Sequence, residues 1–211
     1  MANAGYLPGP ERRRQILDGA KKVFAARGYH DTNISHICED LGIARGTLYQ
    51  YFTNKREVFA AIIEGLLDRV RAAVAAEPPL RLPTAGRPSR EEVIAFAAKS
   101  LQHKLEAAFE DEASLRILVR EAVGLDLRMD AVLRALDDIV ADRVAEDLTI
   151  AQHAGIVRRD ANPRQAALFM LGGIQKLALD ALGRAATIDI AELALTATRM
   201  NMTGLLSDEV S

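Results

Sequence analysis

Apolar residues recur every three or four positions along most of this chain, which is the spacing of one face of an α-helix. Ile16, Ala20, Val23 and Phe24, with Leu17 beside them, predict a helix from Pro10 to about Arg27, stopped by Gly28. Pro10 suits a first helical turn, where its missing N–H is not needed, and Glu11 suits the positive end of the helix dipole. Residues 1–9, with two glycines and a proline, are expected to be disordered. Ile34, Ile37, Cys38 and Leu41 predict a second helix, capped by Asn33 and ended by Gly42, where a left-handed residue costs little. Ile43 tucks inward after it. Leu48, Tyr51 and Phe52 predict the inner side of a third helix, from about Ala44 to Phe52. Asn54 and Glu57 open a fourth helix as a capping box. It runs through Val58, Phe59, Ile62, Ile63, Leu66, Leu67 and Val70 to about Ala76.

Helix cannot persist through residues 77–90, EPPLRLPTAGRPSR, whose prolines mark a linker. Ser89, with Glu92 three residues on, caps a helix at about 91–109. Further helices are expected at about 112–122, 129–153, 163–183 and 189–206, with a loop around Gly124 to Leu127 and a stop at Gly155. No stretch alternates as a strand would, and no internal repeat is present. The expected architecture is all-α, with about nine helices: an amino-terminal three-helix helix-turn-helix domain at 1–56, a connecting helix at 54–76, and a carboxy-terminal helical bundle at 77–211.

The third predicted helix turns Arg45, Gly46, Thr47, Tyr49 and Gln50 outward. This face is rich in donors, bare at its centre and free of acids. A DNA major groove accepts such a face, because Arg pairs with guanine, Gln with adenine, and a Thr methyl meets a thymine methyl. Lys55 falls on the first turn of the fourth helix, where a cation and free backbone N–H groups favour a phosphate. Arg12 to Arg14 lie near the start of the first helix and can reach the DNA backbone, or stand as a solvated charge run. The alternative for the whole stretch is a helical hairpin that binds nothing, since two helices joined by a glycine turn are common.

The letters themselves narrow this choice. The run GYHDTNISHICEDLGIARGTLYQYFTNKREVF, Gly28 through Phe59, closely resembles the DNA-binding domain of the TetR family of transcriptional regulators. The matching signature is Gly28-Tyr29, Ile34, Ile37, Leu41-Gly42-Ile43, Gly46-Thr47-Leu48-Tyr49, Tyr51-Phe52, Lys55, Glu57 and Phe59. The likeness covers the first third of the chain. It implies that Arg45, Gly46, Thr47, Tyr49, Gln50 and Tyr51 face DNA and that Lys55 meets a phosphate. Thr32 and Asn33 join this DNA-facing set. Ala44 stands where many members carry Ser, so no contact is carried over for it.

Charge is divided in the same sense. Residues 1–56 hold nine Lys/Arg and five acids, a net of +4; the remainder nets −6. A basic head on an acidic body fits a head that meets a polyanion, though a fluctuation of charge gives the same numbers. With 211 residues, 49% of them apolar and 27% charged, the chain reads as a soluble globular protein able to bury a sizeable core. No apolar run is expected to reach the roughly 20 residues that cross a bilayer. The start, MANAGYLPGP, lacks the features of a signal peptide. Cys38 is the single cysteine, which excludes an internal disulfide and makes a cytoplasmic location the default.

The helix at 163–183 is apolar nearly all round, with Gly172 and Gly173 at its middle. Such a helix must be covered on all sides. One side can face its own domain, and paired glycines allow a second helix to approach the other. The family resemblance implies the same thing, a four-helix dimer interface made by the last two helices of each copy, here through Phe169, Gly172, Gly173 and Leu177. The alternative is the central helix of a monomeric bundle. The resemblance also implies a small-molecule pocket in the carboxy-terminal domain. Candidates are Phe96, His103, Arg120, Gln152 and Gln175, each of which can equally be structural. The apolar residues Phe96, Leu101, Phe109, Leu118 and Leu148 point to a largely hydrophobic effector, or fill a core.

No phosphate loop, zinc motif, metal cluster or nucleophile motif is present in the sequence, so no cofactor, metal or catalytic residue is expected. The reading is a homodimeric transcriptional regulator, a repressor of a palindromic operator released by an effector. A ligand-independent DNA-binding or assembly protein, or an all-α enzyme, is the alternative. In a dimer the two recognition helices must enter major grooves about 34–36 Å apart, or a multiple of that.

Overall fold

A computed structural model of the chain describes residues 9–78, 80, 88–118, 125, 127–183 and 188–206. Among the described residues there are nine α-helices: α1 (Gly9–Arg27), α2 (Ile34–Leu41), α3 (Arg45–Tyr49), α4 (Lys55–Ala76), α5 (Arg90–Phe109), α6 (Glu112–Ile117), α7 (Leu127–His153), α8 (Pro163–Gly183) and α9 (Ile190–Thr203). The periodicity located each of them. The third is shorter than expected: it ends at Tyr49, and Gln50 and Tyr51 form a turn that leads Phe52 back into the core. Regular strands are absent among the described residues; one isolated antiparallel bridge joins Val157 and Leu206.

The chain divides into two compact units. The first comprises residues 1–68 and 111–131. Here α1 packs on α2 and on α6, and α2 packs on α3. The buried residues include Ile16, Ala20, Val23, Phe24, Ile37, Leu48, Phe52, Val58, Phe59, Ile62 and Ile63. Phe24, Tyr29 and Phe59 form an aromatic cluster, with ring centroids 4.8 to 6.0 Å apart. The segment 111–131, grouped by the sequence with the 77–211 domain, packs instead with this unit. Its anchor is Asp111, which caps α6 by accepting from the Ser114 N–H (3.1 Å) and also accepts from Lys21 Nζ of α1 (2.7 Å).

The second unit comprises residues 69–110 and 132–211. Its principal helix pair is α5 on α9, with α8 also against α9. Ile94, Leu148, Ala151, Ile156, Val157, Met202 and Leu206 form its core. Ser89 and Glu92 close a reciprocal capping box at the start of α5. Most of the proline-rich linker lies outside the described residues, but its start is held: Arg143 donates to the carbonyls of Glu77 and Pro78, Asp147 accepts from the Leu80 N–H, and Lys104 pairs with Glu77. Arg164 of α8 bridges to Asp138 and Asp142 of α7.

Helix α8 overturns one expectation. With 21 residues and a mean hydropathy of 1.3, it is long and apolar enough to cross a membrane by length and composition. Gly172, Gly173, Gln175 and Lys176 interrupt its apolar letters without lowering the average enough. Only 11% of that stretch is buried within the chain.

Candidate nucleic-acid interface

The hairpin of α2 and α3 is built by local chemistry. Asn33 Oδ1 accepts from the His36 N–H (3.0 Å), and His36 Nδ1 accepts in return from the Asn33 N–H (3.3 Å). The capping box therefore closes through a histidine, where glutamate is the usual partner. Gly42 ends α2 at φ +64, a left-handed conformation that a side chain would strain, and the Ile43 N–H bonds back to the Cys38 carbonyl (3.0 Å). Burial pushes the Cys38 thiol up, with Arg45 pulling the other way, so it stays a neutral core residue.

Leu48 and Phe52 anchor α3 inward and are almost fully buried. On the opposite side Arg45, Gly46 and Gln50 are exposed, Tyr49 is 52% exposed, and Thr47 and Tyr51 are half-buried. A side chain added at Gly46 would meet nothing within 4 Å, so packing within the chain does not require a glycine there. Ala44 precedes α3 with no side-chain cap. Of the arginines at the start of α1, Arg12 is buried and bonded to Gln15 (2.5 Å), Arg13 lies 5.1 Å over the Phe52 ring, and Arg14 is exposed.

Two of the expected contact residues bond within the chain. Thr32 is 1% exposed and its hydroxyl donates to the Gly28 carbonyl (2.7 Å), so its side chain faces the core. Lys55 Nζ donates to the carbonyls of Tyr29 (2.8 Å), His30 (3.1 Å) and Thr32 (2.8 Å), and sits 4.5 Å from the Tyr29 ring centroid. An ammonium has three donors, and in the free chain all three are engaged by these backbone carbonyls. At the start of α4, Asn54 accepts from the Glu57 N–H (3.0 Å) as expected, but the Glu57 carboxylate bonds the N–H and hydroxyl of Thr53 (2.7 and 2.8 Å). Those two donors hold the Glu57 carboxyl below its usual range.

Residues 16–62 match the family described as bacterial regulatory proteins, tetR family. Over this stretch the chain is similar to the TetR family of transcriptional regulators. The matched residues are the aromatic core, the α2–α3 hairpin and the first turns of α4. The chain is 37% identical over 68 residues to the HTH-type transcriptional activator FasR of Mycolicibacterium smegmatis, a match spanning 32% of this chain and 31% of that protein. A longer match, 24% identical over 159 residues, spans 75% of this chain and 76% of the HTH-type transcriptional regulator UidR of Escherichia coli. Among solved structures, the SmeT–triclosan complex superposes with a TM-score of 0.68 at 24% identity, over 95% of this chain and 94% of that one, a likeness of fold.

The expected effector residues have the following places. Phe96 is 58% exposed, and His103 is exposed on the same helix. Gln152 Nε2 donates to the carbonyls of Arg158 (2.9 Å) and Ala161 (2.7 Å), so it staples the loop between α7 and α8. Gln175 donates to Asp137 (2.9 Å). Arg120 lies outside the described residues. Leu118 belongs to the first unit, apart from the other four apolar candidates. The two glutamines therefore have partners within the protein, and sequence position alone did not reveal those partners. On α8, Leu168, Phe169, Gly172, Gly173 and Lys176 form an exposed stripe at helical spacing, with Phe169 78% exposed and Leu177 half-buried.

Proposed function

We propose that the chain is a cytoplasmic, homodimeric repressor that reads a palindromic operator through α3 and releases it on binding a small, largely hydrophobic effector. The observation that carries this reading is the outer face of α3: Arg45, Gly46, Thr47, Tyr49 and Gln50 stand outward while Leu48 fixes the helix from behind. Arg45 and Gln50 read bases, and Thr47, Tyr49, Tyr51 and Asn33 complete the surface. The exposed stripe on α8 supports pairing of two copies. SmeT, similar in fold, takes triclosan, which supports a small-molecule effector for the second unit.

Enrichment of duplexes from a random-sequence library tests the reading. A palindromic motif with half-sites one helical turn or a multiple apart is the expected outcome. Failure of any sequence to enrich, or a motif of one half-site only, overturns it. A reporter placed behind the enriched motif decides the sign of regulation, with repression expected.

A further inference from the structure

We propose that Lys55 is a positioning residue for DNA recognition, a cation caged inside the head that holds the start of α2 against the first turn of α4. The inference rests on the DNA-binding reading above and assigns a role that the reading does not contain.

The cage is made by one short segment. Gly28 to Thr32 joins α1 to α2, and its carbonyls turn toward α4. Two bonds close the segment on itself, from the Thr32 N–H to the Tyr29 carbonyl (3.3 Å) and from the Thr32 hydroxyl to the Gly28 carbonyl (2.7 Å). This leaves the oxygens of Tyr29, His30 and Thr32 converging on one point. Three carbonyl dipoles aimed together repel one another and need a cation or donors between them. Lys55 Nζ supplies both, with all three protons donated and the Tyr29 ring face against it. Tyr29 is in turn held by the rings of Phe24 and Phe59, so the cage is fastened to α1 and α4 as well.

The next residue in the chain is Asn33, the cap of α2. The placement of Asn33, and through α2 and the Gly42 turn the placement of α3, depends on how the 28–32 segment is held. Lys55 therefore acts on DNA through the backbone it grips. It also makes α2 and the first turn of α4 move together, so a displacement of α4 is carried into the hairpin.

Lys55→Arg and Lys55→Met separate this role from a phosphate contact. Arg keeps the charge and is a strong phosphate partner, but a planar guanidinium cannot gather three carbonyls onto one nitrogen. For a positioning residue both variants lose affinity for the enriched duplex by about tenfold, comparable with losing one direct contact. The slope of log affinity against log salt then stays at the wild-type value. For a phosphate contact, Lys55→Met lowers the slope by about 0.9 while Lys55→Arg restores affinity and slope, and the proposal is overturned. Wild-type affinity in both variants, with only a lower unfolding temperature, also overturns it.

A second measurement needs no variant. In the intact wild-type protein the Lys55 ammonium should give a slowly exchanging nitrogen-15 signal that is unmoved when the duplex is added. Loss of that signal, or a coupling to phosphorus in the complex, overturns the proposal even if both variants fail to fold. If no duplex enriches, the DNA-binding reading has failed on its own, and the ammonium signal of the free protein still decides whether the cage exists.

Discussion

Gly19 lies on the buried face of α1, between Ile16 and Ala20 on one side and Val23 on the other, where the chain meets α2. A Cβ built there would clash with Leu41 Cδ2 and stand 2.6 Å from Leu41 Cγ, so the two helices approach through the missing side chain. Gly19→Ala gains about 1 kcal/mol of helix propensity but overpacks the contact, which costs about 1–3 kcal/mol. The expected outcome is a lower unfolding temperature, relieved in part when Leu41→Ala is added, so that the double change costs less than the sum of the singles. On the outer surface, Arg45→Ala and Gln50→Ala should each cost about 1–3 kcal/mol of binding to the enriched duplex and relax its preference at one base pair. Binding isotherms on single-base variants of the duplex check this, and unchanged preference in both would remove them as base readers.

At the level of elements, α6 is the short helix that ties residues 111–131 to α1. Burial pushes the Asp111 carboxyl up, but the bonds from Lys21 and from Ser114 outweigh it, and the group is held below its usual range. A carboxyl whose folded value is depressed adds stability above its unfolded value, near 3.9, and loses it as pH falls through the folded value. Unfolding midpoints of wild type and Asp111→Asn should therefore differ at neutral pH and converge in the acid range. Asn keeps the capping acceptor, so the difference reports the Lys21 pair. A gap that stays constant down to acid pH would mean that the pair contributes nothing.

At the scale of the whole molecule, α8 supplies the sharpest test of self-association. A side chain added at Gly172 or Gly173 would meet nothing within 4 Å in the chain. Gly173→Leu should therefore leave the single chain folded while holding a second copy away. Sedimentation is expected to show a monomer, with binding to the palindromic duplex weakened because each half-site is then bound alone; an unperturbed dimer would place the interface elsewhere. Along the sequence the chain passes from the first unit to the second within α4, returns at residue 111, and leaves again within α7. An effector that weakens operator binding must itself be bound more weakly by the operator complex, by the same factor. Calorimetry with and without the duplex measures both, and equal affinities would exclude release as the mechanism.

The order and type of the helices, the cap at Asn33, the left-handed glycine at Gly42 and the outward face of α3 were all legible in the sequence. Each depends on contacts within about a turn of its own residue, and apolar spacing, cap residues and glycine record such contacts directly. The family signature was legible for the same reason, since it is one continuous stretch. The partners of Lys55, Thr32, Gln152 and Gln175 were not, because a long polar side chain is free to face solvent, DNA or a carbonyl many residues away, and only the packed chain decides which. The same holds for Gly19, whose missing side chain matters only because Leu41 of another helix arrives beside it. It holds as well for 111–131, whose helical letters fit either unit until Lys21 of α1 meets Asp111.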